Sequence, residues 1–152
     1  MFRHGEHPVS IRLVARLVYD ELVVCVARVR HFVLSGHISQ TEDIQYDLDS
    51  TIIVIKGIGT SNGEIVHDAR AIISPADSKN SFDFYSFLSD GRKGKFLMEK
   101  EGDIIKWYID TEGGEIRYTI TLKGDTYHEI GEFGMGGQWY PFFEMNLIRK
   151  DS

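Results

Sequence analysis

Covalent staples are almost absent from this sequence. It holds one cysteine among 152 residues, Cys25, so an internal disulfide framework is excluded and either redox compartment stays open. Its setting in LVVCVA reads as that of a small buried hydrophobe and not of a nucleophile. Proline is scarce too, at three residues, and no disordered or low-complexity tract interrupts the chain, so residues 1–152 are expected to form one domain without a linker. Long apolar runs are missing: Arg12, Arg16, Asp20, Glu21, Arg28 and Arg30 break every N-terminal stretch that would serve as a signal core or membrane span. The expectation is a cytoplasmic protein with no membrane partner. Positive charge is in deficit, with 17 Lys and Arg against 23 Asp and Glu and a net charge of −6, which argues against a nucleic-acid partner.

What is present is a regular alternation of short apolar segments and turn clusters. The chain is 42% hydrophobic and 12% aromatic and has 15 glycines, and its length suffices to bury a core. From His37 onward, segments rich in β-branched and aromatic residues predict strands at roughly 37–47, 51–60, 64–74, 81–89, 95–101, 104–111, 115–122, 126–133 and 138–149. LDS, SNG, PADSKN, DGRKG, GD, EGG, KGD and GMGG separate them, all rich in residues that tolerate positive φ or form Asx turns. Connections this short pair each strand antiparallel with the next. A meander of about nine strands from His37 onward, about ten in the whole chain, escapes a long exposed edge by closing, so the fold expected is an all-β up-and-down antiparallel barrel.

Alternation supports an inside and an outside. Ile116, Tyr118, Ile120 and Leu122 share one side, opposed by Arg117, Thr119 and Thr121. Phe82 and Phe84 oppose Tyr85 and Phe87, so that strand is apolar on both sides. The valine-rich segment 8–34 carries two patterns. Ile11, Ala15, Val18, Leu22, Cys25 and Val29 fall on one helical stripe, which would act as a lid. The valine density and the Asp20-Glu21 interruption suit two strands and a tight turn, the reading preferred here.

The segments QTEDIQYDL (Gln40 to Leu48), IIVIKGIG (Ile52 to Gly59), VHDARAIIS (Val66 to Ser74), FLSDGR (Phe87 to Arg92), IRYTI (Ile116 to Ile120), HEIGEF (His128 to Phe133) and QWYPFFEMNL (Gln138 to Leu147) carry a resemblance. In this order they resemble an uncharacterised bacterial family of lipocalin-like, or calycin-like, β-barrels, distantly similar to nitrobindin-type barrels. The resemblance implies a barrel that holds a small, often hydrophobic molecule, and it implies no particular activity. Residues 1–36 are atypical, lacking the Gly-x-Trp-x-Gly-x-Gly strand with which such barrels open. The C-terminal FFEMNLIRK lacks the histidine that ligates haem in nitrobindins, so no haem and no other cofactor is expected.

Glu42, His67, Arg117 and Glu144 are polar residues inside otherwise apolar strands of the resembling segments, and with the aromatics Tyr85 and Trp107 they form the candidate ligand-binding set. Facing inward, Arg117 would hold a carboxylate and, with His67, receive the polar or anionic end of a ligand. Facing outward, Arg117 and Glu144 would be solvated cross-strand pairs. The working expectation for Glu144, which alternation groups with Phe142 and Ile148, is an inward carboxylate satisfied by Arg117 or by a nearby hydroxyl. His128 and Glu129 are adjacent in one strand and point to opposite faces, so they cannot act together on one atom. No spacing demands a metal, and none is expected. EFGMGGQW is hairpin chemistry and not a phosphate loop. The function expected is a noncatalytic binder of a small hydrophobic molecule. The alternatives are an enzyme on the same barrel, a decarboxylase or isomerase of a small unsaturated acid, and an interaction module that forms a homodimer through its valine-rich N-terminus.

Overall fold

The structure is a computed structural model that describes residues 11–18 and 38–150. All described elements are strands: β1 (Ile11–Val18), β2 (Ile38–Asp47), β3 (Ile52–Ser61), β4 (Glu64–Pro75), β5 (Ser81–Leu88), β6 (Lys93–Glu101), β7 (Ile104–Thr111), β8 (Gly114–Lys123), β9 (Thr126–Met135) and β10 (Gln138–Lys150). From β2 to β10 each strand pairs antiparallel with the next, an unbroken meander of nine. β1 lies between the two ends of that sheet, antiparallel to both β10 and β2, and completes the ring. Of the segment 8–34, Ile11–Val18 is therefore strand; the turn expected at Asp20-Glu21 lies outside the described residues.

Local chemistry sets the hairpins. Asn62 (φ 51°) and Gly63 (φ 81°) occupy the left-handed region between β3 and β4, the arrangement that matches the twist of a two-residue hairpin. Gly136 and Gly137 (φ 61° and 79°) do the same between β9 and β10. Two irregularities bend the wall. In β4 the register shifts opposite Gly59 and Thr60, which face His67 and Ile65. In β10 it shifts between Pro141 and Phe143, where a residue without an N–H is tolerated.

The wall is not uniform. β6 pairs with β7 only from Met98 opposite Trp107 to Glu101 opposite Ile104, so Lys93–Leu97 and Tyr108–Thr111 have no ladder partner in each other. The best-packed part of the interior lies elsewhere, where Ile38, Met145 and Leu147 cluster against Ile44, Tyr127 and Phe143. Leu147 is 1% exposed, whereas its neighbour Ile148 is 59% exposed, the signature of strict alternation in β10 beyond the bulge. Leu147→Ala should therefore cost about 2–5 kcal/mol in urea unfolding, and Ile148→Ala less than about 0.5 kcal/mol. Equal costs would mean that β10 is set in the opposite phase.

Candidate functional site

The ladders decide which side chains look inward. Beginning with Gln40 and Glu42, the inward face passes through Gly59 and Gly57, then His67 and Ala69. It continues through Leu88, Ser86 and Phe84, and through Phe96 and Met98. Trp107 follows, then Tyr118 and Ile120, then Gly131 and Glu129. Phe143 and Met145 complete the circuit. Glu42, His67 and Trp107 are thus on the interior as expected. Tyr85, Arg117 and Glu144 are not.

The three outward residues have partners of their own. Arg117 donates from Nη2 and Nε to Glu132 Oε2 at 2.7 and 3.1 Å, and its guanidinium lies 4.0 Å from the Trp139 ring centre. Glu144 Oε1 is 2.9 Å from His128 Nε2, with its side chain 55% exposed. Tyr85 lies under Lys95, whose Nζ is 5.4 Å from its ring centre. The expected Arg117–Glu144 pair does not exist. The bulge at Pro141/Phe143 explains the error over Glu144. Phe142 and Phe143 both approach Tyr118, with centroids 6.1 and 5.9 Å away, so Phe142 gives no guide to the phase of Glu144.

Inside, one wall is aromatic. Trp107 stacks on Tyr118 at 4.2 Å and meets Phe84 edge-on at 4.9 Å, with Phe96 at 5.2 Å. These rings are only half-buried although they face inward, so the interior keeps accessible apolar surface beside the stretch where β6 and β7 part.

The other notable region is polar. Gln40 is 3% and Glu129 7% exposed. Gln40 Nε2 donates to Glu42 Oε1 at 2.7 Å, and the Tyr127 hydroxyl donates to Glu129 Oε2 at 3.1 Å. Gln40 Oε1 is buried with no hydrogen-bond partner. Bare backbone makes room for these groups: a Cβ on Gly57 would fall 2.7 Å from Glu42 Oε1, and one on Gly59 would fall 2.7 Å from Gln40 Oε1. His67 borders Gly59, its Cβ 3.0 Å from where that Cβ would sit.

Among the described side chains no cation neutralises the acids. Lys100 and Arg149 have inward phase, but both are exposed at the barrel end, and Lys100 Nζ donates to the Gly102 carbonyl. Burial, reinforced by the charge of Glu42, raises the Glu129 carboxyl to about 7 against the opposing hydrogen bonds of Tyr127 and Trp107. Burial also raises Glu42, with Gln40 opposing. It lowers His67, favouring neutral imidazole, and raises Tyr127 well above the usual phenol range.

Gln40 and Tyr127 were not singled out by sequence reasoning, and Glu129 was weighed only with His128 and set aside, although TYHEIGEF contains the signal. Tyr127, Glu129, Gly131 and Phe133 share one phase of a strand, and Phe133 marks that phase as interior. Among the described residues no group of His, Cys, Asp and Glu is arranged to hold a metal ion. No protein-family profile and no curated protein matches the chain.

Two outcomes follow. Glu129 binds its proton more tightly folded than unfolded, so the folded state holds more protons between about 4.5 and 7. Stability should therefore fall as pH rises through that window, by about 3 kcal/mol from this group, and level off above it. Urea midpoints at pH 5 and pH 8 should show the drop in the parent chain and a smaller one in Glu129→Gln. On the outer face, Arg117→Ala should couple to Glu132→Ala by about 0.5–1.5 kcal/mol in a double-mutant cycle and be additive with Glu144→Ala.

Proposed function

We propose that this barrel is a noncatalytic, lipocalin-like carrier or receptor of a small, mostly apolar molecule. The observation that carries the reading is the pairing, inside one ring of strands, of an accessible aromatic wall with a buried polar cluster. Ligand sites are typically apolar enclosures with a few placed polar groups that fix orientation. The rings of Phe84, Trp107 and Tyr118 supply the first part, and Gln40, Glu42, Tyr127 and Glu129 the second. Two surface hollows among the described residues, of about 260 and 220 Å³, lie beside the β9–β10 hairpin and beside Phe87 and Arg70, and neither brings such groups together.

The decarboxylase or isomerase alternative loses its anchor, because Arg117 is committed to Glu132 on the outside and an organic acid would meet Glu42 and Glu129 inside. The interaction-module alternative required the N-terminal segment to pair with a second copy, and Ile11–Val18 pairs with the chain's own β2 and β10. No helix among the described residues is long and apolar enough to cross a membrane. The outer face carries Lys56, Arg70, Lys95, Lys106 and Arg117, charges that a lipid-facing band of strands would hold only at a cost. An aqueous setting such as the cytoplasm accords with this.

The neutral probe N-phenyl-1-naphthylamine should bind saturably at one site per chain, with enhanced probe fluorescence and quenching of tryptophan emission. Phe84→Ala and Tyr118→Ala should each weaken it by about tenfold or more, about 1.4 kcal/mol. Tyr85→Ala, on the outside, should leave it unchanged. Absence of saturable binding, or equal effects of Tyr85 and Phe84 substitutions, would overturn the reading.

A further inference from the structure

The polar cluster has a chemical bias that names the ligand it would suit. Its amide and phenol donors each give a bond inside the cluster. Gln40 Nε2 is committed to Glu42 and the Tyr127 hydroxyl to Glu129. What remains is acceptor capacity. An ionised carboxylate offers about four lone-pair sites; Glu42 has a bond from Gln40, and Glu129 has bonds from Tyr127 and Trp107.

Gln40 adds an independent indication. Its side chain is almost wholly buried, its Oε1 accepts nothing, and that oxygen lies over the bare backbone of Gly59, in the place a Cβ would fill. A buried acceptor without a donor costs about 1–3 kcal/mol, which a ligand bearing N–H groups would relieve. Reversing the amide would not help, because it would point oxygen at Glu42 and leave the amino group facing Gly59 and His67.

Charge selects among donor-bearing ligands. Glu42 and Glu129 lie in one enclosure, and among the described side chains no Lys or Arg pairs with them, while His67 is held toward its neutral form. A carboxylate or phosphate end would be repelled. A cation would restore balance, and its three N–H bonds match the unused acceptors. The adjoining wall suits the same ligand, since the faces of Trp and Tyr attract cations and their bodies bury apolar surface.

We propose that the interior takes a primary amine with an aromatic or short aliphatic body, its ammonium held by Glu42, Glu129 and Gln40 Oε1 and its body lying against Trp107, Tyr118 and Phe84. This rests on the binding reading above and refines it, reversing the polarity of ligand end that Arg117 and His67 suggested from sequence.

Three isosteric probes decide it on the unaltered chain: 4-phenylbutylamine, 4-phenylbutanol and 4-phenylbutyrate, each titrated by calorimetry and by displacement of N-phenyl-1-naphthylamine at pH 7.5, a chosen condition near neutrality. The amine should bind at least ~10-fold tighter than the alcohol, a difference of about 1.4 kcal/mol, and the carboxylate should be weakest. Glu42→Gln and Glu129→Gln should each shrink the amine-to-alcohol ratio severalfold while leaving alcohol binding nearly intact. The ranking within the parent chain stands as the test even if a variant fails to fold. An amine no tighter than the alcohol, a carboxylate that binds tightest, or no amine binding while the naphthylamine still enters overturns the amine proposal alone. Failure of the naphthylamine and all three probes overturns the binding reading and this proposal with it.

Discussion

The antiparallel ladder fixes the phase of every strand, and the rest of this protein follows from that phase. A slip of one residue would exchange the two faces of a strand. In β9 it would carry Glu129 out and His128 in. In β8 it would bury Arg117 and expose Tyr118 and Ile120. The closure by β1 makes these phases mutually dependent, since the circuit from Gln40 through nine meander strands must return through Met145 and Leu17 to Ile38. A closed ring admits no phase change in one strand without a compensating irregularity in another. The two shifts, at Gly59/Thr60 and Pro141/Phe143, are where the wall accommodates that demand.

The same phase segregates charge. The outer face pairs its polar groups in or near water: Arg117 with Glu132, Lys95 with Asp83, His128 with Glu144. Exposed pairs of this kind contribute little to stability, and they serve mainly to keep the outside polar. Among the described side chains the interior holds acids without a paired cation. A carboxylate in such a place either takes up a proton or needs a partner from outside. That choice links folding to pH through Glu129, and under the proposed reading the same group would link occupancy of the barrel to ligand charge.

The meander was legible because its turn clusters lie at short intervals and its strands alternate. All nine expected segments from 37–47 to 138–149 correspond to β2 to β10 within a few residues. The inside was legible only in part. Trp107, His67 and Glu42 stand in the interior phase, but Arg117 and Tyr85 do not, although alternation already set Arg117 against Ile116, Tyr118 and Ile120, and Tyr85 against Phe82 and Phe84. Arginine drew attention because a buried cation makes an appealing anchor, and local phase was the better guide. Glu144 was obscured for a different reason. A bulge adds a residue that strict two-residue periodicity cannot anticipate, and Phe142 supplied a false reference. Gln40 and Glu129 become informative only when strands far apart in the chain are closed around one space.

Glycines 57 and 59 show what the closed space gives up. A strand interior is a poor place for glycine, which loses backbone entropy on folding and packs no side chain. Here two of them sit opposite Glu42 and Gln40, where any Cβ would collide with the polar ends of those side chains. A barrel selected for stability alone would exchange the four residues for Val or Ile facing Leu or Met, since well-packed apolar groups commonly equal or exceed buried polar ones in stability. The arrangement instead combines two weak strand formers, a carboxyl at about 7 and an unpaired amide oxygen in one enclosure. Local departures from what favours folding cluster at sites where a protein acts. In this barrel they cluster on the inner face of β2, β3 and β9, the side that faces the aromatic wall.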